Sequence, residues 1–234
     1  MTKTALVTGG NKGIGFEIAK NLLINGYNVV IGARDVTRGN KAVDDLSKYG
    51  DVALQILDVS NVSKINEVAN KISHNYPELA LLVNNAGIPG DMQKSAWEFT
   101  VKELQETYTT DFLGAYELSR SLLPTIEKNQ GTIFSMTIPI EPNNFFHPFA
   151  YLSAKAPLNI MTKTWGLEFK EQNKPVEIFA LMPGGVTTDL NNHMDAPGFK
   201  TAEEAGRLVV DLITDNTDRS GKVVNFDGTV AEYV

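Results

Sequence analysis

With 234 residues, 42% of them hydrophobic, the chain is long enough for one large domain with a substantial core and is not a disordered polymer. A formal net charge of −7 with no basic cluster argues against nucleic acid as a partner, and the lack of cysteine excludes disulfides and thiolate metal sites. His74, His147 and His193 are not at metal-ligand spacing, no apolar stretch is long enough for a bilayer, and the apolar run after Met1-Thr2-Lys3-Thr4 is too short for a signal peptide, so the expectation is a cytoplasmic enzyme with neither metal nor membrane partner.

The first predicted strand, residues 5–7, runs directly into Thr8-Gly9-Gly10-Asn11-Lys12-Gly13-Ile14-Gly15. A helix is predicted from there over residues 14–25, with Ile14, Ile18, Leu22 and Leu23 on one face. Glycines without a Cβ permit positive φ and close approach of backbone amides to a phosphate. The helix start adds free N–H groups and a partial positive charge, so strand, glycine loop and helix together predict a dinucleotide pyrophosphate site.

The second predicted strand, residues 28–31, bears on the type of dinucleotide. It leads into Gly32-Ala33-Arg34-Asp35, with Ala33 where an acidic residue would accept the ribose hydroxyls of NAD. Arg34 can grip a 2′-phosphate through forked, charge-assisted hydrogen bonds, and Lys12 can reach the same group, which points to NADP(H). The alternative makes Arg34 and Lys12 solvated surface charges and leaves Asp35 as the acid.

Further strands are predicted at 52–57, 79–83, 132–136, 176–181 and 222–225, and a helix at 62–73 with Val62, Ile65, Val68, Ala69 and Ile72 on one face. Several strands are apolar throughout, as strands buried on both faces are, and the alternation of strand and helix indicates a parallel sheet covered by helices. The best loops are residues 138–148 and 191–200, both following strands on the side where open α/β sheets bind ligands.

The motifs resemble those of the short-chain dehydrogenase/reductase family, in order and over essentially the whole chain. They are the Thr-Gly-x-x-x-Gly-x-Gly loop, Asn84-Asn85-Ala86-Gly87 after the fourth strand, Tyr151-Leu152-Ser153-Ala154-Lys155, and Pro183-Gly184-Gly185-Val186-Thr187-Thr188-Asp189-Leu190. The glycine loop and Ala33-Arg34-Asp35-Val36-Thr37-Arg38-Gly39 resemble the NADPH-dependent carbonyl reductase branch in particular. The resemblance implies a single Rossmann domain over residues 1–234, with a doubly wound seven-stranded parallel sheet in order 3-2-1-4-5-6-7. It implies Gly9, Asn11, Lys12, Gly13, Ile14, Gly15 and Arg34 as cofactor contacts, Asp58 and Val59 at the adenine, and Asn85, Ala86 and Gly87 along the adenosine and ribose. Pro183, Gly184, Val186 and Thr188 would close over the nicotinamide, and residues 188–200 would form a substrate lid.

Tyr151 and Lys155 are four apart on a predicted helix and so share a face. Free tyrosine, with a pKa of about 10, is a poor base at neutral pH, and a neighbouring ammonium, with the positive nicotinamide of the oxidised cofactor, favours its phenolate. Tyr151 can then exchange a proton with a carbonyl or alcohol oxygen, while Lys155 would also hold the nicotinamide ribose. Two positions depart from the family pattern. Ile138 stands 13 residues before Tyr151, where the family has a serine that hydrogen-bonds the substrate carbonyl, and Thr137 is the nearest hydroxyl able to replace it. Ser135 shares the side of Thr137 but lies deeper. Asp111 stands in place of an asparagine, and its carboxylate would pull on Lys155.

The expectation is an NADPH-dependent reductase of a small aldehyde, ketone or quinone, with its substrate clamp impaired or rearranged. The alternative is an NADP(H)-binding redox sensor or regulatory protein with little turnover. His147 is either a substrate contact or a loop residue, and Phe145, Phe146 and Phe149 either line a pocket or pack their loop. Trp97 and Phe99 are expected to anchor a helix in the core. Trp165 and Phe169 are expected to face a partner subunit in a homodimer or homotetramer.

Overall fold

In the computed structural model, which describes residues 2–231, seven parallel strands form one sheet in the order β3-β2-β1-β4-β5-β6-β9. They are β1 (Thr4–Thr8), β2 (Asn28–Ala33), β3 (Val52–Ile56), β4 (Leu79–Asn84), β5 (Thr132–Met136), β6 (Glu177–Met182) and β9 (Lys222–Asn225). The order is the one expected, with β9 as the seventh strand of the sheet. Two strands of two residues, β7 (Val186–Thr187) and β8 (Lys200–Thr201), pair in parallel as a separate ribbon.

Side chains alternate across the sheet as the pleat requires. Ala5, Val7, Val29, Ile31, Leu81, Val83, Phe134 and Phe179 form one core with α1 (Gly13–Ile24), α2 (Val36–Leu46) and α7 (Ala202–Thr214). Leu6, Val30, Leu82, Ile133 and Ile178 form the other with α3 (Val62–Asn75), α5 (Gly114–Lys128) and α6 (Phe149–Glu171). Strands that bury both faces explain the uninterrupted apolar runs of the sequence.

Between α4 (Val101–Tyr108) and α5 the backbone widens into a π-helical turn, Thr109–Leu113, with no break in the helical path. The turn brings Thr110 and Asp111 inward, and both are buried. Such single turns recur at functional sites, where they re-aim a side chain.

Two aromatic expectations are corrected, those for Trp97 and Phe169. Trp97 is 86% exposed in a short 3₁₀ turn before α4 and anchors no core, whereas Phe99 is half-buried against Phe149, with ring centroids 6.1 Å apart. Phe169 does not face outward, being 5% exposed, whereas Trp165 is half-buried and packs on it and on Tyr116. The large apolar side chains that α6 exposes are Phe149, Ile160 and Leu167. Among the described residues, no helix is long and apolar enough to cross a membrane.

Candidate active site

The residues singled out in the sequence lie along the carboxyl edge of the sheet. Gly9 to Gly15 follow β1, Arg34 follows β2, Asp58 and Val59 follow β3, Asn85 to Gly87 follow β4, Thr137 follows β5, and Pro183 to Thr188 follow β6. A separate cavity of about 490 Å³ opens at the opposite edge, beside Lys3, Tyr27, Glu177 and Asp218, and contains none of them.

The glycine loop is braced from β4. The Thr8 hydroxyl accepts from the amides of Asn85 and Ala86, each at 3.0 Å, and Asn85 Nδ2 donates to the Thr8 carbonyl at 2.9 Å. Gly13 has φ +56°, which favours glycine, and at Gly15 a Cβ would sit 2.4 Å from Asn85 Nδ2 and 2.5 Å from the Gly9 carbonyl. Lys12 takes the N-cap position of α1 without a side-chain capping bond, so the first-turn amides keep their donors for an anion. A cradle without Cβ atoms and a helix start rich in donors fit a pyrophosphate.

Around the expected 2′-phosphate the two basic residues differ. Arg34 is exposed at the end of β2 and makes no ion pair among the described residues. Lys12 instead reaches across to the segment after β7, where its Nζ lies 2.8 Å from Asp189 Oδ2. The Lys12 ammonium beside it holds the Asp189 carboxyl below the usual carboxylate range, and His193 Nε2 lies 2.9 Å from the other oxygen. Asp35, the alternative ribose acid, caps α2 by accepting from the Arg38 amide at 2.8 Å.

Tyr151, Lys155 and Asn159 recur every four residues on α6 and share one face. Lys155 is 3% exposed, donates to the Met136 carbonyl at 3.3 Å, and holds Nζ 5.6 Å from the Tyr151 ring centroid. Asp111 Oδ2 lies 3.5 Å from the same Nζ, and Asp111 Oδ1 accepts from the Ile88 amide at 2.8 Å. Burial first, and the Asp111 carboxylate second, push the Tyr151 phenol above its ordinary value. In the chain by itself Lys155 has a carboxylate partner, the one anticipated from Asp111 in the sequence.

Thr137 is buried, and its hydroxyl donates to Asn159 Oδ1 at 2.5 Å. Its single proton is given to a partner within the protein. Asn159 also reaches the Ile138 carbonyl through Nδ2 at 3.5 Å, fixing the end of β5 from both sides. Asn159 was missed in the sequence, although the Tyr151-Lys155-Asn159 spacing was there to be read. Ser135 lies deeper, as expected, within 3.4 Å of Asn84 Nδ2, which also donates to Ser119.

The loop over residues 138–148 is held by reciprocal backbone bonds between Asn143 and Phe146. His147 Nδ1 lies 3.0 Å from the Asn143 carbonyl, which gives it a part in the loop. Phe145 is 97% exposed and Phe146 half-buried.

Comparison with known proteins places these features in a family. Salutaridine reductase from Papaver somniferum is 46% identical over 91 residues, 38% of this chain but only 29% of its own length. The short-chain dehydrogenase/reductase prx1 of Penicillium roqueforti is 28% identical over 211 residues, covering 85% of this chain and 62% of prx1. The chain thus spans less than two thirds of either relative. Among solved structures, NADPH-bound carbonyl reductase from chicken fatty liver has the same fold, with a TM-score of 0.88, 24% identity and 99% of both chains covered. The family model described as short chain dehydrogenase matches residues 3–197, and the chain belongs to the short-chain dehydrogenase family of oxidoreductases.

Proposed function

We propose that the chain is an NADPH-dependent reductase of small aldehydes, ketones or quinones, in which Tyr151 gives a proton to the substrate oxygen. The observation that carries this reading is the placement of Tyr151 and Lys155 on one face of α6, at the sheet edge that also holds the glycine cradle. The relatives named as reductases and the NADPH-bound carbonyl reductase structure support it. When bound, NADPH supplies the hydride for the carbonyl carbon. The chain's own residues orient the reactants: Gly9, Asn11, Lys12, Gly13, Ile14 and Gly15 for the phosphates, Arg34 for the 2′-phosphate, Asp58, Val59, Asn85, Ala86 and Gly87 for the adenosine. Pro183, Gly184, Val186 and Thr188 flank the reacting end, and Lys155 holds the ribose there. Residues 188–200 act as the substrate lid of a single domain.

A panel of aldehydes, ketones and quinones, followed by NADPH oxidation, tests the activity. Arg34→Ala is expected to weaken NADPH binding about 10–100-fold, the worth of a charge-assisted contact, and to leave NADH binding unchanged. Equal losses for both nucleotides would remove Arg34 as the 2′-phosphate ligand.

The second reading, a redox sensor or regulatory protein that binds NADP(H) with little turnover, is favoured by one observation. With Ile138 at the serine position and the Thr137 hydroxyl given to Asn159, the substrate oxygen keeps one side-chain donor, Tyr151. Tight NADPH binding without turnover across the panel selects it.

Association into a homodimer or homotetramer fits the apolar groove of about 280 Å³ between α4 and α6, lined by Val101, Leu104, Tyr108, Phe149, Ala150 and Ala154. Light scattering should give at least twice the monomer mass, and a single symmetric monomer peak refutes it.

A further inference from the structure

The Asp111 carboxylate is 1% exposed, and its Oδ2 has no hydrogen-bond partner. A buried carboxylate oxygen in that state depends on a nearby cation, and Lys155 Nζ, 3.5 Å away, is the one that faces it. The surroundings leave the carboxylate little room to turn away. Oδ1 is held by the Ile88 amide, and a Cβ on Gly87 would come within 2.9 Å of Oδ2. Among the described residues, the titratable groups facing Asp111 are Lys155 and Tyr151, both on α6, while the segment after β4 offers the Ile88 amide.

An ammonium beside a phenol normally stabilises the phenolate. Here the same ammonium is shared with a fixed anion, so a phenolate at Tyr151 would meet a nearly neutral pair and feel the carboxylate directly. We propose that Asp111 is a positioning residue that engages Lys155 as its counter-ion and thereby keeps Tyr151 in its phenol form, so that a proton is in place for reduction and no phenolate stands ready to take one from an alcohol. The proposal rests on the reading of Tyr151 as proton donor. In reduction the Tyr151 O–H bond breaks as its proton passes to the carbonyl oxygen, while NADPH provides the hydride for the carbon. The phenolate left behind recovers a proton from solvent, and the carboxylate nearby favours that recovery. Oxidation of an alcohol would need the phenolate before it began, and is confined to alkaline solution.

The test does not need a substrate. Ultraviolet difference titration of tyrosinate in the full chain, with Tyr151→Phe subtracted, isolates Tyr151 from the six other tyrosines. Ionisation is expected above the ordinary tyrosine value of about 10, or not at all before circular dichroism records loss of the fold. Asp111→Asn should move it down by about 1–2 pH units. Ionisation of the wild-type residue at or below the ordinary value overturns the proposal, whether or not Asp111→Asn folds. An unchanged midpoint in a folded Asp111→Asn protein also overturns it. If the carbonyl reductase reading fails while the titration behaves as expected, the failure lies in the substrate assignment. With a substrate in hand, Asp111→Asn should shift the alkaline limb of the reduction profile down by the same interval, a displacement that a purely structural role for Asp111 would not produce.

Discussion

Tyr151→Phe is expected to lower kcat/KM for NADPH-dependent carbonyl reduction by about 10²–10⁴-fold, the usual worth of a positioned general acid. The substitution removes one oxygen and keeps the ring, so the packing of α6 is retained. Lys155 keeps its bonds to the Met136 carbonyl and to Asp111, neither of which involves the phenol. NADPH affinity should therefore stay within a few-fold, and the loss should fall on kcat. Stopped-flow or steady-state rates beside calorimetric NADPH binding separate the two quantities. Unchanged reduction by the variant would remove Tyr151 as the donor.

Ile138→Ser is expected to act in the opposite direction. The position lies two residues beyond β5, on a backbone fixed by the Thr137 amide to the Leu181 carbonyl at 2.9 Å and by Asn159 to the Ile138 carbonyl. A serine set on that fixed backbone would supply the second donor that Thr137, committed to Asn159, does not. Removing one such donor from an enzyme built around it costs about 10²–10³ in turnover, which sets the ceiling for restoring one. A rise in kcat of about tenfold is the expected result, with a smaller change in KM, because the new bond strengthens as charge develops on the oxygen. No rise, in a variant with native Tm and NADPH affinity, would mean that the substrate oxygen does not rest against position 138.

The sheet was legible because a two-sided core imposes two regularities at once, apolar strands and amphipathic helices of matching spacing. The glycine loop was legible because part of what its glycines require is local: Gly13 answers to its own positive φ and Gly15 to the Gly9 carbonyl, although Asn85 closes on Gly15 from far along the chain. What escaped depended on pairs far apart in the chain. No sequence signal joins Lys12 to Asp189, 177 residues on, and without that pairing Lys12 reads as a free phosphate ligand. Thr137 looked available because its partner Asn159 lies 22 residues away, although the helical period of α6 pointed to it. The π-helical turn has no composition of its own; it adds width that only the packed structure reveals. Trp97 shows that aromatic character does not fix burial when the residue sits in a turn before the helix. The identity of Asp111 was plain in the sequence, but the dry, one-cation environment that makes its charge matter belongs to the fold.

The small β7–β8 ribbon has an evolutionary consequence. Its two register pairs, Val186 with Lys200 and Thr187 with Thr201, pin both ends of residues 188–199 beside the sheet. Once the ends of such a segment are fixed, doubling its length adds only about 0.6 kcal/mol of closure entropy. The segment can therefore change in length and content at little cost, while the sheet that carries the glycine cradle and the helix α6 that carries Tyr151 stay as they are. Four paired residues thus separate the segment that is free to vary from the sheet that is not.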